Sequence, residues 1–251
     1  MPLHFIGLGL GNEKDITING LEAVKKCDLV YLENYTSVLN CPKEALEKFY
    51  GKKIILARRS LVESDDNEII ENSKAKNVAF LVIGDPFGAT THADLWMRAK
   101  KEGIKCHIIH NSSILTAVGV TGLQLYKFGK TTSIPIENEN IGAPYDVLKG
   151  NLSLGLHTLF LLDLSPDEDS FMKVGDAIRY LLKVELKRNE KIFSEKTLCL
   201  GCARVGSENQ MIKFGAAKEL LKFDFGKPVH CLIVPGKLHF MEEECLKMYK
   251  I

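Results

Sequence analysis

The chain has 251 residues, of which 45% are hydrophobic, and 33 basic against 32 acidic side chains leave a formal net charge of +1. This length suits one large domain or two modest ones. The balanced charge, without a basic stripe, argues against a nucleic-acid-binding surface. No segment reaches the roughly 18 consecutive apolar residues of a membrane span, and the first apolar stretch lacks the basic flank of a secretory signal. We therefore expect a cytoplasmic protein that binds neither nucleic acid nor membrane.

Strands and helices alternate in the first half of the chain, which predicts a parallel sheet covered by helices. Strands are expected at residues 3–8, 29–32, 54–56, 78–83 and 104–110, with helices that include 66–76 and 93–99. Two capping boxes are expected to start helices, Asn19 with Glu22 and Thr91 with Asp94. Gly103 is expected to end the helix that begins near Ala93.

Neighbouring strands replace this alternation in the second half, which predicts a mixed sheet. An apolar helix over 114–126, capped by Asn111 to Ser113, is expected to lead into it. Strands are expected at 131–134, 158–162, 198–205, 211–214 and 229–234, with a polar loop at 137–145 and helices at 171–188 and 216–223. The sequence thus predicts two α/β domains, residues 1–116 and 117–251, the first with a mostly parallel sheet and the second with a mixed one.

The segment from Gly84 to His92 is the strongest candidate for a ligand site. It joins a buried strand to a helix through a loop that contains Asp85, Pro86 and Gly88. Open α/β sheets bind their ligands outside the carboxyl ends of the strands, and glycines there let backbone approach a ligand closely. Asp85 is either a ligand acceptor or a turn carboxylate that bonds the backbone before Gly88. His92 either occupies the first turn of the helix or faces a protein substrate.

A second glycine-rich strand end, Gly7-x-Gly9-x-Gly11, invites a dinucleotide interpretation, with Glu33 as the acidic partner. Asn12 stands where that pattern needs its third glycine, and no helix opens directly behind the glycines. Three interpretations remain: a dinucleotide site, glycines that let a strand end near other backbone, or a loop that approaches a cofactor without phosphates.

Seven scattered cysteines, among them Cys199 and Cys202 in one predicted strand, favour reduced and buried side chains over a zinc or redox site. No metal site is predicted.

Ordered motifs along nearly the whole chain resemble the diphthine synthase family, within the tetrapyrrole-methylase-like class of S-adenosylmethionine-dependent methyltransferases. The matching segments include 5–17, 30–37, 84–92, 109–114, 122–129, 157–163, 203–206 and 228–230. The resemblance implies two α/β domains with the cofactor in the cleft between them, and a homodimer. It also implies methyl transfer onto the modified histidine of translation elongation factor 2, with S-adenosylhomocysteine as the by-product. Three or four methyl groups stay open, and the matching segments favour the fourth, which gives diphthine methyl ester.

The resemblance also implies cofactor contacts, drawn from both predicted domains. They fall on Leu10, Asp85, Gly88, Ser113, Ile114, Leu162, Val205 and His230. From sequence alone His230, within an apolar strand, is expected to be a core or interface histidine, and only the resemblance makes it a cofactor contact. No general base is assigned, because an amine that titrates near about 8 has an appreciable neutral fraction unaided.

One departure from the family concerns residues 165–170, where a longer basic insert is expected and only a short acidic segment is found. This departure leaves open how the protein substrate docks. Two alternative functions stay open as well, a tetrapyrrole ring methylase on the same scaffold and a non-catalytic nucleotide-binding module.

Overall fold

The computed structural model describes residues 1–64 and 67–251. The chain forms two compact units, one of residues 1–117 with 206–208, the other of residues 118–205 with 209–251. Both predicted sheets are present, so the α/β class is confirmed.

The first unit is a five-stranded parallel sheet in the order β3-β2-β4-β1-β5. Its strands are β1 (Pro2–Gly7), β2 (Leu29–Glu33), β3 (Ile55–Ala57), β4 (Val78–Val82) and β5 (Lys105–Ile109). Its helices are α1 (Ile18–Lys26), α2 (Lys43–Tyr50), α3 (Arg59–Glu63), α4 (Glu68–Ala75), α5 (Ala93–Lys101) and α6 (Ile114–Ala117). The helix predicted over 66–76 is α4, and its expected start at Asp66 lies outside the described residues.

The two faces of this sheet carry separate apolar cores. Phe80 and Val82 of β4 pack into one of them, while Ala79 and Leu81 pack into the other. Successive side chains of a strand point to opposite faces, so a continuous apolar run is what a strand buried on both sides requires. The run from Val78 to Ile83 therefore places β4 at the centre of the sheet.

The second unit holds a mixed sheet in the order β11-β10-β12-β7-β6, in which only the β6–β7 pair is parallel. Its strands are β6 (Thr132–Ile134), β7 (Thr158–Leu162), β10 (Leu198–Ala203), β11 (Met211–Ala216) and β12 (His230–Val234). A short hairpin of β8 (Leu164–Ser165) and β9 (Ser170–Phe171) stands apart from the sheet. The helices are α7 (Ala143–Ser153), α8 (Val174–Arg188), α9 (Ala217–Leu220) and α10 (Phe240–Lys247).

The helix predicted over 114–126 is wrong in extent. The α-helix stops at Ala117, and single 3-10 turns follow at 118–121 and 125–127. Gly122 has a φ of +83°, which a continuing helix cannot contain, and a Cβ there would lie 2.2 Å from Cβ of Cys245. Packing against α10 therefore decides where this segment turns.

Both predicted capping boxes are wrong. Thr17, not Asn19, caps α1, since its hydroxyl accepts from the amide of Gly20 at 3.1 Å. The hydroxyl of Thr91 donates instead to Glu63, and Asp94 pairs with Arg98. Ser113 serves α6 through its backbone carbonyl, which accepts from the amides of Thr116 and Ala117.

All seven cysteines are free. Cys199 and Cys202 are fully buried, and burial raises the pKa of the Cys199 thiol. Both residues are therefore small core side chains, as predicted. In the described part of the chain no helix combines the length and apolarity that a bilayer crossing demands.

Candidate functional site

Three loops at one edge of the first sheet lie side by side. They follow β1, β4 and β5, which are neighbours in the sheet, and they contain residues 8–17, 83–92 and 110–113. Because parallel strands present their carboxyl ends at the same edge, the fold itself gathers these loops. Four of the predicted cofactor contacts lie here, namely Leu10, Asp85, Gly88 and Ser113, and a fifth, Ile114, follows directly as the first residue of α6.

The first two loops are joined backbone to backbone. The amide of Gly9 donates to the carbonyl of Gly84 at 3.2 Å, and the amide of Gly84 donates to the carbonyl of Gly9 at 2.8 Å. Both glycines have a positive φ, +76° and +83°. A Cβ on Gly7 would lie 2.6 Å from the carbonyl oxygen of Gly84. The glycines of the first loop therefore allow close backbone approach.

This geometry decides against a dinucleotide site of the Rossmann type. The first helix after the glycines starts only at Ile18, so no helix N-terminus follows them directly. The carboxylate of Glu33 is fully buried and accepts from the amide of Tyr35 at 2.8 Å. It is therefore not placed to bind a ribose.

Gly88 and Ser113 touch across the second and third loops. A Cβ on Gly88 would lie 2.7 Å from Cβ and 2.9 Å from Oγ of Ser113. Ser113 is buried, whereas Ile114 and Leu10 are half-buried. The glycine thus lets the turn after β4 pack directly on the chain that follows β5.

Asp85 fastens these loops with both carboxylate oxygens. Oδ1 accepts from the amide of Phe87 at 2.9 Å. Oδ2 accepts from Nδ1 of His110 at 2.7 Å and from the amide of Asn111 at 3.2 Å. Burial alone would raise the pKa of Asp85, but these hydrogen bonds outweigh it and hold the pKa below its ordinary value.

The turn-carboxylate interpretation of Asp85 is therefore the one that these contacts support. Acceptor capacity remains on Oδ1, since a carboxylate oxygen has two lone-pair directions and, among the described residues, the Phe87 amide alone uses one. Oδ1 of Asp85 can therefore accept a hydrogen bond from a ligand while the carboxylate still holds the turn.

Two residues that were not predicted as cofactor contacts, Asn111 and Asp15, complete this edge. The amide group of Asn111 donates to the carbonyls of Gly7 and Asp15, at 3.0 and 2.9 Å. The carboxylate of Asp15 accepts from the amide of Gly11 at 2.7 Å. Their only signal in the sequence is position, since a short polar residue at a strand end is common in turns.

The remaining predicted contacts gather at one end of the second sheet. Leu162 ends β7, His230 begins β12 and Val205 follows β10, and these strands are neighbours in the order β10-β12-β7. All three residues are buried. Nε2 of His230 contacts the carbonyl oxygen of Lys227 at 2.9 Å, and Nδ1 makes no hydrogen bond to described residues. Burial lowers the pKa of His230, so the ring is neutral at pH 7.

The described residues contain no cluster of three or more histidine, cysteine, aspartate or glutamate side chains suited to a metal ion. What the two sheet ends offer instead is backbone, glycine and buried apolar side chains. Such surfaces suit an organic ligand.

Comparison with known proteins identifies the family. The model of the Tetrapyrrole (Corrin/Porphyrin) Methylases matches residues 2–221. A diphthine methyl ester synthase of Dictyostelium discoideum is 47% identical over 270 residues, covering 100% of this chain and 99% of that protein. A diphthine synthase of Methanococcus maripaludis (strain C6 / ATCC BAA-1332) is 47% identical over 248 residues, covering 98% of this chain and 97% of that protein.

A crystal structure of a diphthine synthase superposes with a TM-score of 0.91 at 40% identity, covering 100% of this chain and 96% of that one. The two sheets and their order of secondary structure are therefore shared with solved members. The chain belongs to the tetrapyrrole methylase family and, within it, to the diphthine synthases.

Proposed function

We propose that this chain is a methyltransferase that uses S-adenosylmethionine to methylate the modified histidine of translation elongation factor 2, in diphthamide biosynthesis. The observation that carries the proposal is full-length identity of 47% to diphthine methyl ester synthase and to diphthine synthase. The loop edge of the first sheet supports it, because close-packed glycines present backbone to a ligand without a phosphate-binding helix.

The proposed cofactor contacts are those predicted from the resemblance. In the first unit Leu10 and Ile114 supply apolar surface, Gly88 and Ser113 supply close-packed backbone, and Asp85 holds the loop. In the second unit they are Leu162, Val205 and His230. We assign His230 a contact through its backbone or ring carbons, since Nε2 already meets the carbonyl of Lys227.

For methyl transfer, the chain must orient the acceptor and exclude water. The cofactor supplies a methyl group already activated on a sulfonium. An amine held in line near about 3 Å from that carbon needs no further activation once neutral. Buried apolar side chains at both sheet ends favour a transition state in which the positive charge is spread between sulfur and nitrogen as the methyl group moves. We further propose that the final product is a methyl ester.

Calorimetry with S-adenosylmethionine and with NAD tests the cofactor assignment. We expect saturable binding of S-adenosylmethionine in the micromolar range, about −8 kcal/mol, and no heat with NAD. Binding of NAD without S-adenosylmethionine would contradict the proposal and favour the nucleotide-binding alternative.

We also propose a homodimer in the cytoplasm. Apolar side chains on α10 and on the segment before β6 are exposed in the isolated chain, namely Val120, Leu125, Tyr126, Phe240 and Met241. The two segments adjoin each other, because the amide of Gln124 donates to Glu242 and the Tyr249 hydroxyl donates to the carbonyl of Val120. Contiguous exposed apolar surface marks interaction sites.

Analytical ultracentrifugation tests this part. The native chain is expected to sediment as a dimer and Phe240→Glu as a monomer. A matched control is Leu186→Glu, which changes an 86% exposed leucine on α8 and is expected to leave the dimer intact. A native monomer at micromolar concentration would contradict the dimer.

A further inference from the structure

An open cavity lies on the second unit, between α8 and the segments that follow β6 and β7. Its volume is about 340 Å³, at the lower end of the roughly 300–1,000 Å³ that ligand pockets occupy. Its walls include Ile136, Phe171, Asp176, Arg179 and Lys183. The cavity faces solvent, because Ile136 is 38% exposed and the side chain of Arg179 is 62% exposed. None of the described residues that line it is a proposed cofactor contact.

Asp163 fastens two of these walls, and it directly follows Leu162, a proposed cofactor contact. Oδ2 of Asp163 accepts from the amide of Ile136 at 3.2 Å. The carbonyl of Asp163 accepts from the amide of Met172, which also lines the cavity, at 3.0 Å. The cavity therefore lies beside the end of β7 at which the cofactor is proposed to bind.

The start of α8 connects the cavity with His230, another proposed cofactor contact. The amide of Lys173 donates to Oδ2 of Asp176 at 2.8 Å. Burial lowers the pKa of His230, and the charges of Arg204 and Lys173 act in the same direction, so Lys173 is near that ring. A protein segment seated in the cavity is thus close to the cofactor end of the second sheet.

Two cations, one helical turn apart, give the α8 wall a positive charge. Arg179 and Lys183 have i, i+4 spacing and side chains that are 62% and 48% exposed, so they share one face of the helix. Nη2 of Arg179 donates to Asp176 at 2.8 Å, and Nζ of Lys183 donates to Glu139 at 3.2 Å. A guanidinium has five N–H groups and an ammonium has three, so each cation keeps donors beyond these bonds.

The acidic groups nearby do not neutralise this wall. Both oxygens of Asp176 are already hydrogen-bonded. Glu139 is 86% exposed, so its ion pair with Lys183 is weak. Glu168 and Asp169 lie exposed at the turn of the hairpin, outside the described lining. The described lining thus carries two cations against one carboxylate, which favours an anionic group.

The facing walls are apolar, which favours a protein partner over a free anion. Ile136 is exposed and Phe171 is half-buried. Exposed cations alone hold a small anion weakly, whereas a protein segment also buries these apolar side chains. The segment that fits has an acidic side chain beside an apolar one.

We propose that this cavity is a docking pocket for the protein substrate, elongation factor 2. An acidic side chain of the substrate lies against Arg179 and Lys183, and an apolar neighbour packs on Ile136 and Phe171. This inference rests on the proposed function, which supplies the protein substrate. It gives α8 a part in substrate binding that is separate from the cofactor contacts.

Arg179→Glu reverses one cation of the pocket and leaves the cofactor contacts in place. Steady-state methylation of elongation factor 2 that carries the unmethylated precursor measures KM and kcat, and calorimetry measures S-adenosylmethionine affinity. We expect KM for elongation factor 2 to rise at least tenfold, with kcat at saturation and S-adenosylmethionine affinity unchanged. A native KM in this variant overturns the proposal.

Lys74→Glu is the matched control. Lys74 is a 42% exposed cation that pairs with Glu71 three residues earlier on α4, as Arg179 pairs with Asp176 on α8. This variant is expected to keep the native KM. An equal rise of KM in both variants reports the overall charge of the chain and overturns the pocket.

Ile136→Asp tests the apolar wall, and it serves if Arg179→Glu does not fold. Binding of elongation factor 2 to the immobilised chain, followed by interferometry, does not depend on turnover. We expect Kd to rise at least tenfold in each variant, and an unchanged Kd in both overturns the pocket. A native chain that methylates elongation factor 2, with native KM in both variants, refutes the pocket alone. A native chain that binds S-adenosylmethionine but leaves elongation factor 2 unmethylated refutes the proposed function.

Discussion

Gly88 carries the most specific constraint at the scale of a single residue. Its missing side chain lets the turn after β4 pack on Ser113, whose Cβ and Oγ a Cβ would approach to 2.7 and 2.9 Å. Gly88→Ala is expected to destabilise the fold by about 1–3 kcal/mol through overpacking. We also expect S-adenosylmethionine affinity to fall at least tenfold, measured by calorimetry at a temperature where the variant is folded.

Two further variants control this prediction. Ser113→Gly removes the two atoms that the new Cβ would meet within 3 Å, so the double variant is expected to recover most of the lost stability. Gly150→Ala, in α7 with nothing within 4 Å of an added Cβ, is expected to stabilise by about 0.5–1 kcal/mol. Full stability and affinity in Gly88→Ala would contradict the close packing.

Asp85 links the loops after β4 and β5 through its charge. Because hydrogen bonds hold its pKa below the ordinary value, its stabilisation is present above the unfolded pKa near about 4 and is lost as pH falls through the folded pKa. Asp85→Asn is expected to lower the free energy of unfolding by about 1–3 kcal/mol at pH 7. Urea unfolding at pH 7 and pH 3 measures this, and a difference that stays constant with pH would exclude the ionised carboxylate as its source.

For single residues, the sequence predicted which side chains lie in the loop but not which residues they contact. The pattern indicated that Asp85 and Gly88 lie in a strand-end loop, and that loop forms. The partners of Asp85, His110 and Asn111, come from another segment of the chain. Their contacts depend on which strands are neighbours, which local spacing does not encode.

At the scale of elements, Glu242 ties α10 to the segment before β6. The carboxylate is fully buried and accepts from Nε2 of His157 and from the amide of Gln124, each at 2.9 Å. It also pairs with Lys127. Removal of one partner from such a buried network is expected to cost about 3–5 kcal/mol, so Glu242→Gln is expected to unfold at much lower urea concentration.

The pH dependence of this network has a definite sign. Burial alone would raise the pKa of Glu242, but the hydrogen bonds, with that from Lys127 first, lower it to about 2. Its stabilisation is therefore complete above about pH 4.5 and is lost as pH falls toward 2. Glu244→Gln, which alters a 62% exposed carboxylate on the same helix, is expected to change stability by less than about 0.5 kcal/mol. An equal loss in both variants would contradict the network.

Regular elements were predictable where apolar periodicity is strong. The central strands and α8 follow their patterns closely, whereas α2, α7 and α10 were not foreseen. The helix expected over 114–126 fails because Gly122 must turn beside Cys245 of α10. A local pattern could not show that contact, since the two residues lie far apart in sequence.

At the scale of the whole molecule, alternation and pairing of strands were enough to predict the class of both sheets. The sequence held no signal that residues 206–208 belong to the first unit. There a Cβ on Gly206, which has a φ of +88°, would lie 2.9 Å from Cβ of Leu10. The segment therefore adds close-packed backbone to the loop that follows β1.

The alignments with two relatives differ in length. The alignment with the Dictyostelium relative spans 270 positions, which is 19 more than the 251 residues of this chain. The archaeal alignment spans 248 positions. In length the chain thus resembles the archaeal relative.

Mass spectrometry of the modified histidine tests the central claim most directly. Elongation factor 2 that carries the unmethylated precursor is incubated with this chain and S-adenosylmethionine, digested, and the histidine peptide is analysed. We predict methyl groups on that histidine, with one on a carboxylate as an ester. A product methylated on the amine alone would contradict the proposed ester. No methylation of this peptide, by protein that binds S-adenosylmethionine, would contradict the proposed function.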